Sequence, residues 1–164
     1  MTDTETVIAG PQSPVEAHVL HVVGRDVALH FGPMLAQVAQ GLSASGLTTT
    51  LVTDDAALGV RLAGTPVECH LVPYVGGWRA WSLGGYLAGR IAPPPDVVHV
   101  WGQAGHGWLA HWARRAGLPR VVHVFGTAHG ERALRGGWHA GEHVVFPSSA
   151  LASPLLQRFP QARP

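Results

Sequence analysis

The sequence predicts one α/β domain: a doubly wound parallel sheet with helices on both faces, in a three-layer α/β/α arrangement. Three observations predict it. Short β-branched apolar runs alternate with helical periodicities along almost the whole chain, the pattern of strands joined by helical crossovers. The clearest of these runs are continuously apolar, as strands buried on both faces tend to be. A chain of 164 residues with 46% hydrophobic and 13% charged side chains suits one packed core, and it excludes a disordered or nucleic-acid-coating chain.

Residues 1–17 contain Thr, Glu and Pro without periodicity and are expected to form a flexible tail, leaving residues 18–164 as the domain. The first strand is expected over residues 18–23 (HVLHVV), followed by a loop of about ten residues, 24–32. Pro33 then opens a helix at its first position and Gly46 lies just past its end. Within that helix Met34, Leu35, Val38, Ala39 and Leu42 form an apolar stripe. Residues 48–53 (TTTLVT) make the second strand, closed by Asp54 and Asp55, and residues 67–72 the third. Residues 78–91 predict a helix weakened by Gly84, Gly85 and Gly89, with Pro93–Pro95 ending it. The fourth strand spans 96–101, a helix spans 106–116, the fifth strand spans 120–125 and the sixth 143–146. A last helical segment runs from Ser149 to about Phe159, where Pro154 is expected to kink it or restart it with Ser153 as cap.

The formal net charge is +1 and every one of the eleven basic residues is Arg. A Lys-free chain rich in Ala, Gly and Pro matches the bias of a GC-rich bacterial genome. Arg suits bidentate contact with phosphate or carboxylate, although solvated surface arginines are the plainer explanation. The lone Cys69, in an apolar run, excludes an intramolecular disulfide and fits a buried thiol in a reducing cytoplasm. Residues 1–16 are polar and acidic rather than basic then apolar, so no secretory signal opens the chain. No apolar run approaches the roughly 20 residues of a membrane span. A cytoplasmic domain is expected.

In a doubly wound sheet, ligands bind beyond the carboxyl ends of the strands, so the candidate site lies in the loops that follow them. The first loop carries His30, Phe31 and Gly32 directly before the predicted helix start. Free amides and the helix dipole there would favour an anion, unless this is an ordinary loop with a Gly-Pro start. The fourth loop carries Trp101, Gly102, Gln103 and His106, and the fifth Phe125, Gly126, Thr127 and His129. Aromatic faces beside amides and imidazoles are what a sugar requires. His106 and His129 are candidate polar or acid–base groups, His129 being the candidate catalytic residue, with exposed loop histidines as the alternative. Ser148 is a helix cap first and a phosphate or hydroxyl contact second.

Three strands repeat one pattern, VLHVVG (19–24), VVHVWG (97–102) and VVHVFG (121–126). Neighbouring strands would place His21, His99 and His123 in a row on one face. No carboxylate or Cys is placed to complete a metal shell, so core histidines are expected and no metal site. Trp78, Trp81 and Tyr86 around Arg79 mark a candidate membrane-facing or partner-facing patch, with core packing as the plainer reading.

Four stretches in order carry a resemblance: HVLHVVG with the following FGPMLAQVAQGLSASG; TTTLVTDD; PPDVVHVWGQAGHGWLAHWARRAGLPRVVHVFGTAHG; and AGEHVVFPSSALASPLL. Together, over residues 18–158, they resemble the Rossmann-like N-terminal domain of GT-B glycosyltransferases, most of all the retaining family 4 group. The resemblance implies transfer of a hexose-type sugar from a nucleotide-diphosphate donor, a co-substrate, to a glycan, lipid-linked or small-molecule acceptor held by this domain. It implies no cofactor in this half. The donor and paired glutamates would belong to a second domain, and a chain stopping at Pro164 is expected to be a fragment, inactive alone. Two departures stand out: Phe125-Gly126 occupies the place where the family often has His-Gly, and the first loop retains only Gly32 of the family's paired glycines.

Two other functions compete. A non-catalytic sugar- or protein-binding module could use the same scaffold. A nicotinamide-dependent oxidoreductase domain would use Asp54 or Asp55 for a ribose, but no Gly-x-Gly-x-x-Gly follows the first strand. A Walker-type phosphate loop is impossible without Lys.

Overall fold

The computed structural model describes residues 17–75, 81–102, 106–135, 142–160 and 162, so the expected tail lies outside it but for Ala17. Strands and helices alternate throughout: β1 (His18–Val23), α1 (Arg25–Ala44), β2 (Thr48–Thr53), α2 (Ala56–Leu62), β3 (Glu68–Leu71), α3 (Trp81–Arg90), β4 (Val97–Trp101), α4 (His106–Arg115), β5 (Arg120–His123), α5 (Thr127–Arg135), β6 (Glu142–Val145) and α6 (Ser149–Arg158). The six strands form one sheet in the order β3-β2-β1-β4-β5-β6, and every pairing is parallel. Strand order reverses between β1 and β4. A crevice therefore opens beyond their carboxyl ends.

Strand alternation sorts the core into two layers. Leu20, Val22, Val98, Val100, Val122 and Val144 turn to one face, where Leu87, Leu109, Ala113, Leu134 and Leu155 of α3 to α6 cover them. Val23, Leu51 and Trp101 turn to the other, against Val27, Leu35, Ala36 and Ala39 of α1 and Leu58 and Leu62 of α2. Each such aliphatic side chain, when fully buried, stabilises the fold by about 1.5–3 kcal/mol. Cys69 packs half-buried against the second layer, and burial pushes its thiol up from the ordinary range. Arg120 and Glu142, paired in register at the start of β5 and β6, form a buried ion pair of 3.1 Å with 2% and 6% exposure.

Four local expectations need correction. Helix α1 begins at Arg25, not Pro33, so residues 24–32 are not a loop and Pro33 lies inside the helix. Proline deprives the carbonyl four residues back of its donor. Here that residue is Leu29, which is 63% exposed, and Pro33 is exposed too, so the freed carbonyl lies on the solvent side of the helix. Pro154 does not restart α6, which runs through it from the cap at Ser148; Ser153 is not a cap but donates its hydroxyl back to the Ser149 carbonyl at 2.9 Å. The stretch between the second and third strands, where the sequence around residues 58–64 defines no clear element, holds helix α2 over 56–62. Residues 127–135, expected to begin as a loop, are helix α5. Finally, β5 is shorter than expected, ending at His123 rather than Phe125.

Helix α2 depends on Asp55, whose carboxylate accepts the Leu58 N–H at 2.8 Å while 6% exposed. Asp55→Ala is expected to cost about 1 kcal/mol, up to roughly 2. Urea denaturation checks this, and an unchanged midpoint would show that the cap contributes nothing.

Candidate functional site

The carboxyl edge of the sheet collects the starts of the helices that follow β1, β4, β5 and β6. Their positive dipole ends converge there. The first is already occupied: Asp54, just past β2, accepts the Arg25 N–H at 2.7 Å, with a longer contact of 3.5 Å to the Val75 N–H. A carboxylate thus sits where a dinucleotide phosphate would rest. With Asp54 on α1 and Asp55 capping α2, both acids proposed for a nicotinamide ribose are engaged elsewhere. Sequence reasoning missed this role for Asp54, because an acid at the end of the neighbouring strand, 29 residues on, offers no local signal.

The repeated His-x-x-Gly strands build the most unusual feature of this edge. Parallel register sets His21 beside His99, and Trp101 beside His123. The His21 and His99 ring centroids are 5.0 Å apart, as are those of His99 and His123. Trp101 stacks on His99 at 4.3 Å and on His123 at 4.2 Å, the latter with nearly parallel rings at 9°. Ring nitrogens are used within the cluster: His99 Nε2 meets His123 Nδ1 at 2.7 Å, and the Trp101 indole N–H donates to His21 Nδ1 at 3.1 Å. Indole is a donor only, so His21 carries its proton on Nε2, which is buried with no partner among the described residues. Burial first, and His123 second, push His21 down to about 4. His99 falls to about 2 through burial, then His21, then His123, and burial lowers His123 as well. The cluster is neutral at physiological pH. Among the described residues no group of His, Cys, Asp or Glu is arranged to hold a metal ion.

The expected site residues separate into those the structure places at the edge and those it removes. His30 is exposed on α1, its ring edge-on to Phe31 at 6.4 Å. Phe31 and Phe125, both half-buried, stack at 4.4 Å and 22°, joining α1 to the segment after β5. Gly32 is buried within α1 and is no helix start; Gly24 is the residue before the first turn. Trp101 is only 2% exposed and belongs to the imidazole stack, which withdraws its face from a ligand. Gly102 has φ +69°, and a Cβ there would collide with the Val27 Cγ2, so its glycine serves a close approach of α1 to β4. Gln103 lies outside the described residues, and the described backbone puts His106 at the first position of α4. Gly126 precedes α5, accepting the Gly130 N–H at 2.9 Å. Thr127 is exposed at the start of α5, and His129 stands in its first turn rather than on a loop. Ser148 caps α6, accepting the Leu151 N–H at 3.4 Å. Of the membrane-patch residues, Trp78 and Arg79 lie outside the described residues. Tyr86 packs half-buried against the core with Arg90 5.0 Å over its ring. Among the described residues, no helix is long and apolar enough to cross a membrane.

Comparisons with known proteins agree with this architecture. The family model described as glycosyl transferase 4-like domain matches residues 31–163. Among solved structures the chain is similar to a glycosyltransferase from Rickettsia africae ESF-5, with a TM-score of 0.62 and 16% identity, covering 87% of this chain and 40% of that one. It is similar to the glycotransferase of kitacinnamycin, with a TM-score of 0.51 and 15% identity over 90% of this chain and 40% of that one. Arabidopsis thaliana UGT89C1 complexed with UDP gives a TM-score of 0.52 and 15% identity over 88% and 45%. Likeness at such identity is likeness of fold, and the chain spans less than half the length of each. No curated protein matches it in sequence. With the family model matched along most of its length and a six-stranded parallel sheet beneath it, the chain belongs to the glycosyl transferase 4-like family, on a Rossmann-like α/β fold.

Proposed function

We propose that this domain forms the acceptor side of a glycosyltransferase cleft. The reaction is transfer of a hexose, with retention, from a nucleotide-diphosphate sugar to a glycan, lipid-linked or small-molecule acceptor. The family match over residues 31–163 carries the reading. A UDP complex among the similar folds supports a nucleotide-sugar donor. The donor and paired glutamates belong to a second domain, so this chain alone does not turn over substrate and requires no cofactor. The half-exposed Phe31–Phe125 pair offers the aromatic face for the acceptor sugar. Gly126, Thr127, His106 and Ser148 stand at the neighbouring helix starts, and His129 is the candidate acid–base residue. The domain works in the cytoplasm, with peripheral contact at the inner face of the membrane.

Saturation-transfer NMR against a panel of oligosaccharides and lipid-linked sugars tests the acceptor role. Saturable binding is expected, weakened about fivefold in Phe125→Ala if one stacking contact of about 1 kcal/mol is lost. Nucleoside diphosphate release from UDP- and GDP-sugars is expected only when a donor-binding domain is supplied in cis. Acceptor binding without turnover even then would favour the binding-module reading, and binding of a nicotinamide dinucleotide would overturn both.

A further inference from the structure

A second concavity lies at the opposite end of the sheet. The last turns of α3 and α4, with the segments leading into β4 and β5, enclose a pocket of about 250 Å3. Its floor is Leu87 and Ile91, and Pro95, Trp112 and Leu118 are among its walls, with Ala116 and Pro94 exposed at its mouth. An apolar void of about 150 Å3 already holds a benzene ring, whereas drug-sized ligands take roughly 300–1,000 Å3. The pocket therefore accepts one alkyl chain or one small ring. Its lining side chains are hydrocarbon and one indole, and its place at the amino ends of β4 and β5 sets it apart from the cleft at the carboxyl edge.

The two helices that wall the pocket carry charge of one sign. Helices α3 and α4 carry Arg90, Arg114 and Arg115 in their last turns and no Asp or Glu anywhere. Arg90 follows Leu87 by three residues and Arg115 follows Trp112 by three, a spacing that sets each arginine on the helix face of a lining residue. The Arg90 guanidinium rests 5.0 Å over the ring of Tyr86, the residue before Leu87, and would swing from there to a bound anion. All three are exposed. Asp96, the nearest acid in sequence, is turned to the His18 N–H at 2.8 Å. Arginines in a last turn complement the helix dipole, and here they leave the two helix ends that enclose the pocket positively charged.

We propose that this pocket binds a single-chain anionic amphiphile, a medium-chain alkyl carboxylate being the simplest, with the chain inside and the carboxylate facing Arg90 and Arg115. The site is separate from the acceptor cleft and independent of it. Titration of the whole chain with decanoate below its micellar concentration, followed by calorimetry, is expected to show saturable one-to-one binding. Decanol is expected to bind several-fold more weakly. The double variant Arg90→Glu, Arg115→Glu should erase that preference, lowering decanoate affinity about tenfold and leaving decanol unchanged. Ala116→Phe, or Pro94→Trp should the first fold poorly by circular dichroism, fills the mouth and should abolish both. The proposal is overturned by an absence of decanoate binding, by binding that survives both blocking variants, or by equal affinity for decanol. It is equally overturned if only phosphatidylglycerol vesicles, and not free decanoate, are bound.

Discussion

Acidification from neutral pH to about pH 4 is expected to unfold the domain or bring it close to unfolding, and the imidazole row beneath Trp101 is the reason. A histidine whose pKa is depressed in the fold accepts its proton far more readily in the unfolded chain. Its contribution is complete above its unfolded value of 6.5 and is lost as pH falls toward the folded one. For His21, lowered to about 4 and 2% exposed, the loss over that window is on the order of 3 kcal/mol at about 1.4 kcal/mol per unit. His99 and His123 are depressed in the same direction and add to the slope. Against a typical domain stability of about 5–15 kcal/mol this is a large share. Urea midpoints measured across the window check it. His99→Gln should be less stable at neutral pH, because the stack is interrupted, yet lose less on acidification. A variant with the native acid slope would absolve the cluster.

Gly102→Ala should be the most damaging single methyl addition at this edge. At φ +69° an L side chain is strained by about 1–2 kcal/mol, and the new Cβ would be driven into the Val27 Cγ2. Valine has one preferred rotamer in a helix, and Val27 is itself 2% exposed, so it cannot swing aside. Overpacking adds about 1–3 kcal/mol, for roughly 3 kcal/mol in all. A double-mutant cycle separates the parts. Adding Val27→Ala should recover the steric share and leave the backbone strain. Strictly additive losses would mean that the collision is not the cause.

Much of the layering was legible because a parallel sheet imposes it on the residues themselves. The β-branched runs located all six strands, and the His-x-x-Gly repeats foretold a row of imidazoles once β1, β4 and β5 proved adjacent. What sequence hid was set by tertiary context. Pro33 marks a helix start locally, and only the exposure of Leu29 makes it harmless in the ninth position of α1. In α5, Gly130 argues against a helix by propensity. In the fold it is buried where a Cβ would run into Leu155 and Val124, so the missing side chain is what lets α5 lie against α6. The candidate site fared less well for the same reason. Trp101 has the chemistry of a sugar platform, but burial assigns its face to His99 and His123, while Phe31 and Phe125 stay half-buried and stack on each other.

The Arg120–Glu142 pair bears on how the last strand finds its place. Strand β6 has four residues and a single neighbour in the sheet, so little apolar area distinguishes one alignment from the next. Sliding it by one residue would present His143 rather than Glu142 to the buried guanidinium and turn Val144 away from its layer. An ion pair of this kind adds little net stability over a well-packed apolar pair. Its value is as a gauge: the misaligned sheet is penalised by an uncompensated buried charge, and the outermost strand is admitted in one position only.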